Sequence, residues 1–249
     1  MTLDHPFDRL SGRAILLASV LGMAPGLFLL WLLRDDFGRA RSVAGIALYG
    51  GVALVLVLVA RWRGVELRRL LGRALGTREV IASAALGLAV LVFSFGSMIA
   101  LLGGLSLVFP QILERYADNS MDFLIRKDGR LDVVSTVLLA VTAGIVGPVV
   151  EELVFRGFLL TRWARRFGVR SGVVFSALLF GLLHFALAPL GAFALGLVAA
   201  VLYLRTRSLV APILAHATAN STIVFATLLG RGAERTAMTP PGVDELRGL

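Results

Sequence analysis

SGVVFSALLFGLLHFALAPLGAFALGLVAAVLYL, residues Ser171 to Leu204, runs for 34 positions with one ionisable side chain, His184. A bilayer core about 30 Å thick takes roughly 20 residues of α-helix, so the run is too long for a single crossing. Pro189 and Gly191 divide it into two short crossings, since proline cannot continue a helix and glycine loosens one.

Similar runs flank it. Upstream are Ala14 to Leu33, Ser42 to Ala60, Val80 to Phe109 and an uncharged segment opening at Val133 and reaching Val150; downstream, Ser208 to Leu229 holds only His216 as an ionisable group. The expectation is an all-α polytopic transmembrane helix bundle of about seven spans. Composition agrees: of 249 residues 57% are hydrophobic and 16% charged, with a mean hydropathy of +0.86, which excludes an ordinary soluble enzyme. Ala14 to Leu33 is too long and too weakly terminated for a cleavable signal peptide. No repeat or composition shift marks a boundary, so residues 1–249 read as one membrane domain. Within it, residues 1–130 supply spans without motifs, and 131–229 carry the chemistry.

The formal charge is +9, and every basic residue except Lys127 is arginine. Arginines parked at span ends set membrane topology, so the basic balance points to a lipid bilayer rather than to nucleic acid. With the N-terminus inside, inner segments hold 14 basic residues (Arg9 and Arg13, six from Arg61 to Arg78, four from Arg162 to Arg170, Arg205 and Arg207) against 10 outside. That is the arrangement expected in a bacterial-type cytoplasmic membrane. The segment from Arg61 to Arg78 alternates arginines with Val65, Leu67, Leu70, Leu71 and Leu75, which suits either a helix in the headgroup layer or a basic loop. With no cysteine, the chain has no disulfide, thiolate nucleophile or Cys-ligated zinc.

Against this apolar background, Glu151, Glu152 and Arg156 stand in Gly147-Pro148-Val149-Val150-Glu151-Glu152-Leu153-Val154-Phe155-Arg156-Gly157. Each such charge costs about 2.5–3.5 kcal/mol at the bilayer centre on insertion scales, so a partner or a function must offset them. Glu152 and Arg156, at i and i+4 with the acid nearer the N-terminus, form a structural ion pair. Glu151 is turned about 100° around the helix and has no counter-ion in its own segment. A carboxylate in that position suits general acid–base work.

Two of the three histidines, His184 and His216, lie in apolar runs. Either one alone could simply bond a backbone carbonyl. His216 is followed at i+4 by Asn220, placing two hydrogen-bonding groups on one helix face, and His184 is preceded at i−4 by Phe180, an aromatic able to exclude water or fix the imidazole. Counted from the arginines at the inner ends of their spans, Glu151, His184, His216 and Asn220 fall at depths of roughly 13–21 Å, compatible with one site.

The series Glu151-Glu152-x-x-x-Arg156, Phe180-x-x-x-His184 and His216-x-x-x-Asn220 on successive apolar helices resembles the CPBP intramembrane protease family. That family includes the type II CAAX prenyl endopeptidases and the bacterial Abi and bacteriocin-processing relatives. Pro148 and Gly157 also fit its pattern, and the likeness covers about Asp132 to Leu229. The resemblance implies hydrolysis of a peptide bond in a membrane-associated protein or peptide, prenylated or not, by a glutamate-activated water. Glu151 would be the base, His184 would hold and activate the water, and His216 with Asn220 would stabilise the oxyanion, with Glu152, Arg156 and Phe180 in support. No cofactor is expected. Zinc held by Glu151, His184 and His216 is the rival mechanism, although no His-Glu-x-x-His helix is present. A transporter or proton relay also buries such groups, but it predicts broken helices in two related halves; a non-catalytic membrane scaffold is the remaining alternative.

Overall fold

The computed structural model describes residues 11–32, 37–111, 132–184 and 189–238. Arg9, Arg34, Arg115, Arg126, Lys127, Arg130 and Arg247, which enter the orientation count, lie outside them. Among the described residues the chain is helical, with no strand: α1 (Gly12–Leu32), α2 (Phe37–Trp62), α3 (Leu67–Leu71), α4 (Thr77–Ser106), α5 (Val133–Phe167), α6 (Val169–Leu183), α7 (Pro189–Thr206) and α8 (Val210–Met238). Six of these are long and apolar enough to cross a membrane; α6, at 15 residues, is apolar but short. The protein is therefore an integral membrane helix bundle.

Large apolar side chains stay exposed along its outside, Val92 at 73% and Ile99 at 68% among them. Water would penalise such a surface, whereas lipid does not. Close helix approach therefore rests on small residues. Gly22 and Gly26 form a Gly-x-x-x-Gly step on α1, and a Cβ at either would collide with α2, at the backbone of Val52 or at Leu48. Gly87 of α4 does the same for α8, its missing Cβ leaving room for the backbone of Ala215, the residue before His216.

About seven spans were expected, and the shortfall lies in the 34-residue run. Helix α6 ends at Leu183, with His184 as its C-cap at φ −103°, ψ 17°, and α7 begins at Pro189. Pro189 serves as the start of a helix, where its missing N–H costs nothing. His184 thus stands at a helix end and not inside a crossing.

Helix α5 is continuous for 35 residues, about 52 Å at 1.5 Å per residue and longer than the bilayer core. Asp132 caps it, accepting from Ser135 N at 3.4 Å and Ser135 Oγ at 3.0 Å. Two wider π stretches, Thr142–Val146 and Leu153–Leu160, bracket one α-helical segment, Gly147–Glu152. Such π stretches are rare and recur at functional sites.

Between α2 and α4 the arginine-rich segment contains the five-residue α3, with Arg68 and Arg69 exposed and Val65 and Leu70 buried. It docks on the α7–α8 turn: Leu209 N donates to Leu71 O at 2.8 Å and Arg73 Nε to Thr206 O at 2.8 Å.

Candidate active site

Glu151 and Glu152 are the last two residues of the α-helical segment between the π stretches of α5. The carbonyl partners in the first stretch follow from sequence. Gly147 N–H donates to Thr142 O, five residues back. By that pattern Ala143 O should receive the N–H of residue 148, which is a proline and has none. Asn220 of α8 supplies the donor, its Nδ2 lying 2.9 Å from Ala143 O. In the second stretch Ser176 of α6 donates to Phe155 O at 3.2 Å. Side chains of α8 and α6 therefore hold the irregular backbone on either side of the two glutamates.

Glu152 and Arg156 are fully buried. Arg156 Nη1 donates to Glu152 Oε1 at 2.9 Å and Nη2 to Gly196 O on α7 at 3.1 Å, and its guanidinium lies 4.8 Å from the centre of the Phe180 ring. His216 Nδ1 lies 3.0 Å from the same Glu152 oxygen. The ion pair read from sequence is present, and it also carries a histidine.

Phe180 O accepts from His184 Nδ1 at 2.8 Å. A carbonyl only accepts, so Nδ1 carries the proton and neutral His184 presents the lone pair of Nε2. The Phe180 ring, 1% exposed, packs 4.5 Å from the His184 ring and edge-on to His216 at 5.5 Å. One phenylalanine thus positions both imidazoles. The bland reading of His184, a bond to a backbone carbonyl, describes one of its nitrogens; the other faces the site.

The Nε2 atoms of His184 and His216 each lie 3.8 Å from Glu151 Oε2. That oxygen is buried and has no hydrogen-bond partner among the described residues, while Oε1 accepts from the hydroxyl of Tyr49 at 2.6 Å. Tyr49 belongs to α2, 102 residues upstream. Glu151 has no counter-ion in its own segment, and its hydrogen-bond partner comes from a helix that the sequence reading left without a role. The available signal was a tyrosine in the middle of an uncharged run, since tyrosines of membrane helices concentrate at the interfaces.

These side chains share one cavity of about 430 Å³, to which Tyr49, Glu151, Phe180, His184, His216 and Asn220 all contribute. The rest of its wall includes Leu91, Leu139, Leu195 and Ile223. An apolar cavity with a few convergent polar groups is the usual form of a ligand site.

Comparison with known proteins locates the likeness in this same half of the chain. Residues 133–222 match the family described as type II CAAX prenyl endopeptidase Rce1-like, a stretch that holds every motif residue from Glu151 to Asn220. Over this core, the chain is similar to the type II CAAX prenyl endopeptidases. A similar protein is "Putative membrane peptidase YdiL" of Bacillus subtilis (strain 168), 33% identical over 100 residues; the match covers 39% of this chain and 41% of the relative. The aligned part is thus about two fifths of that relative's length. No solved structure gives a significant match. Tyr49 lies outside the family-matched residues, so the site joins the matched core to a helix that the comparison does not cover.

The zinc alternative can be set against these distances. Ligands at about 2.0–2.1 Å from a tetrahedral zinc stand roughly 3.3 Å apart, whereas Glu151 Oε2 is 3.8 Å from each imidazole nitrogen. Among the described residues, no group of three or more His, Asp or Glu side chains is arranged to hold a metal ion.

Proposed function

We propose that this chain is an intramembrane endopeptidase that hydrolyses a peptide bond of a membrane-associated protein or peptide, with water activated by Glu151 and His184. One observation carries the reading: a buried carboxylate oxygen, without a hydrogen bond among the described residues, faces two imidazole nitrogens at 3.8 Å inside an apolar cavity.

In this mechanism Glu151 Oε2 takes a proton from water as the water oxygen adds to the scissile carbonyl carbon, with the His184 Nε2 lone pair helping to hold the water. The carbonyl oxygen becomes an oxyanion. His216 donates to it from Nε2, and Asn220 contributes the amide hydrogen not used on Ala143. Because Glu152 takes the hydrogen on Nδ1, His216 can donate from Nε2 only as an imidazolium. The proton on Glu151 then passes to the leaving nitrogen as the C–N bond breaks. Glu152, Arg156 and Phe180 hold this arrangement without touching the reacting atoms.

The substrate class follows from the surroundings: a mostly apolar cavity reached through a bilayer suits a hydrophobic segment of a membrane-associated chain. We place the protein in a bacterial-type cytoplasmic membrane, N-terminus inside, from the arginine distribution.

The reading is tested by expressing wild type and Glu151→Gln in the same cells and counting new peptide termini in the membrane fraction by mass spectrometry. Termini present with wild type, absent with Glu151→Gln at equal folded protein, and reproduced by purified enzyme on the corresponding peptide are expected. Equal termini from both proteins would overturn the general-base assignment.

A further inference from the structure

Among the described residues, Tyr49 is the one side chain hydrogen-bonded to Glu151, and neither the motifs nor the family match includes it. Its hydroxyl donates to Oε1 at 2.6 Å, within the 2.5–2.7 Å typical of O–H···O⁻ bonds, which are about twice as strong as neutral ones. We infer that Tyr49 is a positioning residue of the reaction, holding Glu151 Oε1 so that Oε2 is the oxygen presented to His184 and His216. The inference rests on the reading of Glu151 as the base.

The need for such a clamp comes from the side chain itself. A glutamate has three rotatable bonds, and a carboxylate has two equivalent oxygens. Glu152, its neighbour, is fixed by Arg156 and His216 through Oε1. Glu151 has no comparable hydrogen bond to a cation among the described residues: the imidazole nitrogens at 3.8 Å are beyond hydrogen-bond reach. Without the Tyr49 hydroxyl, neither oxygen would be held and the carboxylate could rotate away from the imidazoles. The Tyr49 ring also lies beside α5 one turn before Glu151, its Cε1 within van der Waals distance, 3.8 Å, of where a Cβ on Gly147 would stand. The helix α2 thereby becomes part of the catalytic apparatus without contributing a reacting atom.

The test uses the full-length protein purified in detergent, as wild type, Tyr49→Phe and Glu151→Gln. Tyr49→Phe keeps the ring and removes only the hydroxyl. The carboxylate stretching band lost in Glu151→Gln identifies Glu151 by infrared difference spectroscopy, and that band is then compared between wild type and Tyr49→Phe. The peptide found from the terminus comparison above supplies kcat and KM. We expect a shifted band, a kcat lower by about 10- to 100-fold and a KM within about twofold. An unshifted band overturns the inference by itself, as does an unchanged kcat. A change confined to KM would make Tyr49 a substrate contact and also overturn it. Full activity in Glu151→Gln would instead remove the general-base reading on which the inference stands, so the two failures are told apart.

Discussion

His216 Nδ1 lies 3.0 Å from Glu152 Oε1, an oxygen that also receives Arg156 Nη1 at 2.9 Å. Two helices of the site are joined through one carboxylate atom. Glu152 is thus more than the counter-ion of Arg156: it fixes which nitrogen of His216 points at Glu151. The chain of contacts runs from the Gly196 carbonyl on α7 through Arg156 and Glu152 to His216 on α8. Three helices are held in register around a group of charges that none could bury alone.

Breaking this chain should therefore cost fold and not only activity. Removing one partner of a buried pair costs about 3–5 kcal/mol, because the other charge is stranded. Arg156→Ala is expected to lower the melting temperature in detergent and the yield of folded protein sharply, whereas Glu151→Gln melts near wild type. An Arg156→Ala protein as stable as wild type would show that the pair contributes little. Arg156→Lys should fall between the two, since lysine keeps the charge but cannot reach Glu152 and Gly196 with the same planar fork.

Metal dependence gives a separate outcome. A zinc site loses its activity with its metal and regains it on reconstitution, whereas water activated by Glu151 and His184 does not. A membrane-permeable chelator is expected to leave most activity intact. One zinc per chain by elemental analysis, lost and restored together with cleavage, would assign Glu151, His184 and His216 as ligands instead.

The bundle was legible because membrane spans write themselves as runs without charge, and the site because charges inside such runs are few. Glu151, Glu152, Arg156, His184 and His216 stand out on that ground alone. Tyr49 does not, since one hydroxyl on an aromatic ring barely alters hydropathy. Helix α6 reads as a short crossing because the 34-residue run has no charge to mark its end at His184, and Pro189 marks only where the next helix starts. The π stretches of α5 are shifts in backbone pairing with no composition of their own. Pro148 is their one visible trace, and its meaning emerged only with Asn220 beside Ala143.

That last pairing makes a prediction that sequence pattern alone could not. In the proposed mechanism Asn220 is an oxyanion donor, so Asn220→Ala is expected to lower kcat by roughly 10²- to 10³-fold with little change in KM. It also strands the Ala143 carbonyl, which has lost its backbone donor to Pro148, at a cost of about 1–3 kcal/mol. Pro148→Ala restores a backbone N–H next to that carbonyl. In the Pro148→Ala background, Asn220→Ala should therefore cost less stability than in wild type, while its loss of kcat persists. The measurement is a double-mutant cycle on melting in detergent, run beside turnover of the same four proteins. Additive losses of stability would mean that Asn220 does not stand in for the missing N–H of Pro148. Recovery of turnover along with stability would mean that Asn220 acts on the reaction only by holding the turn of α5 that leads into Glu151.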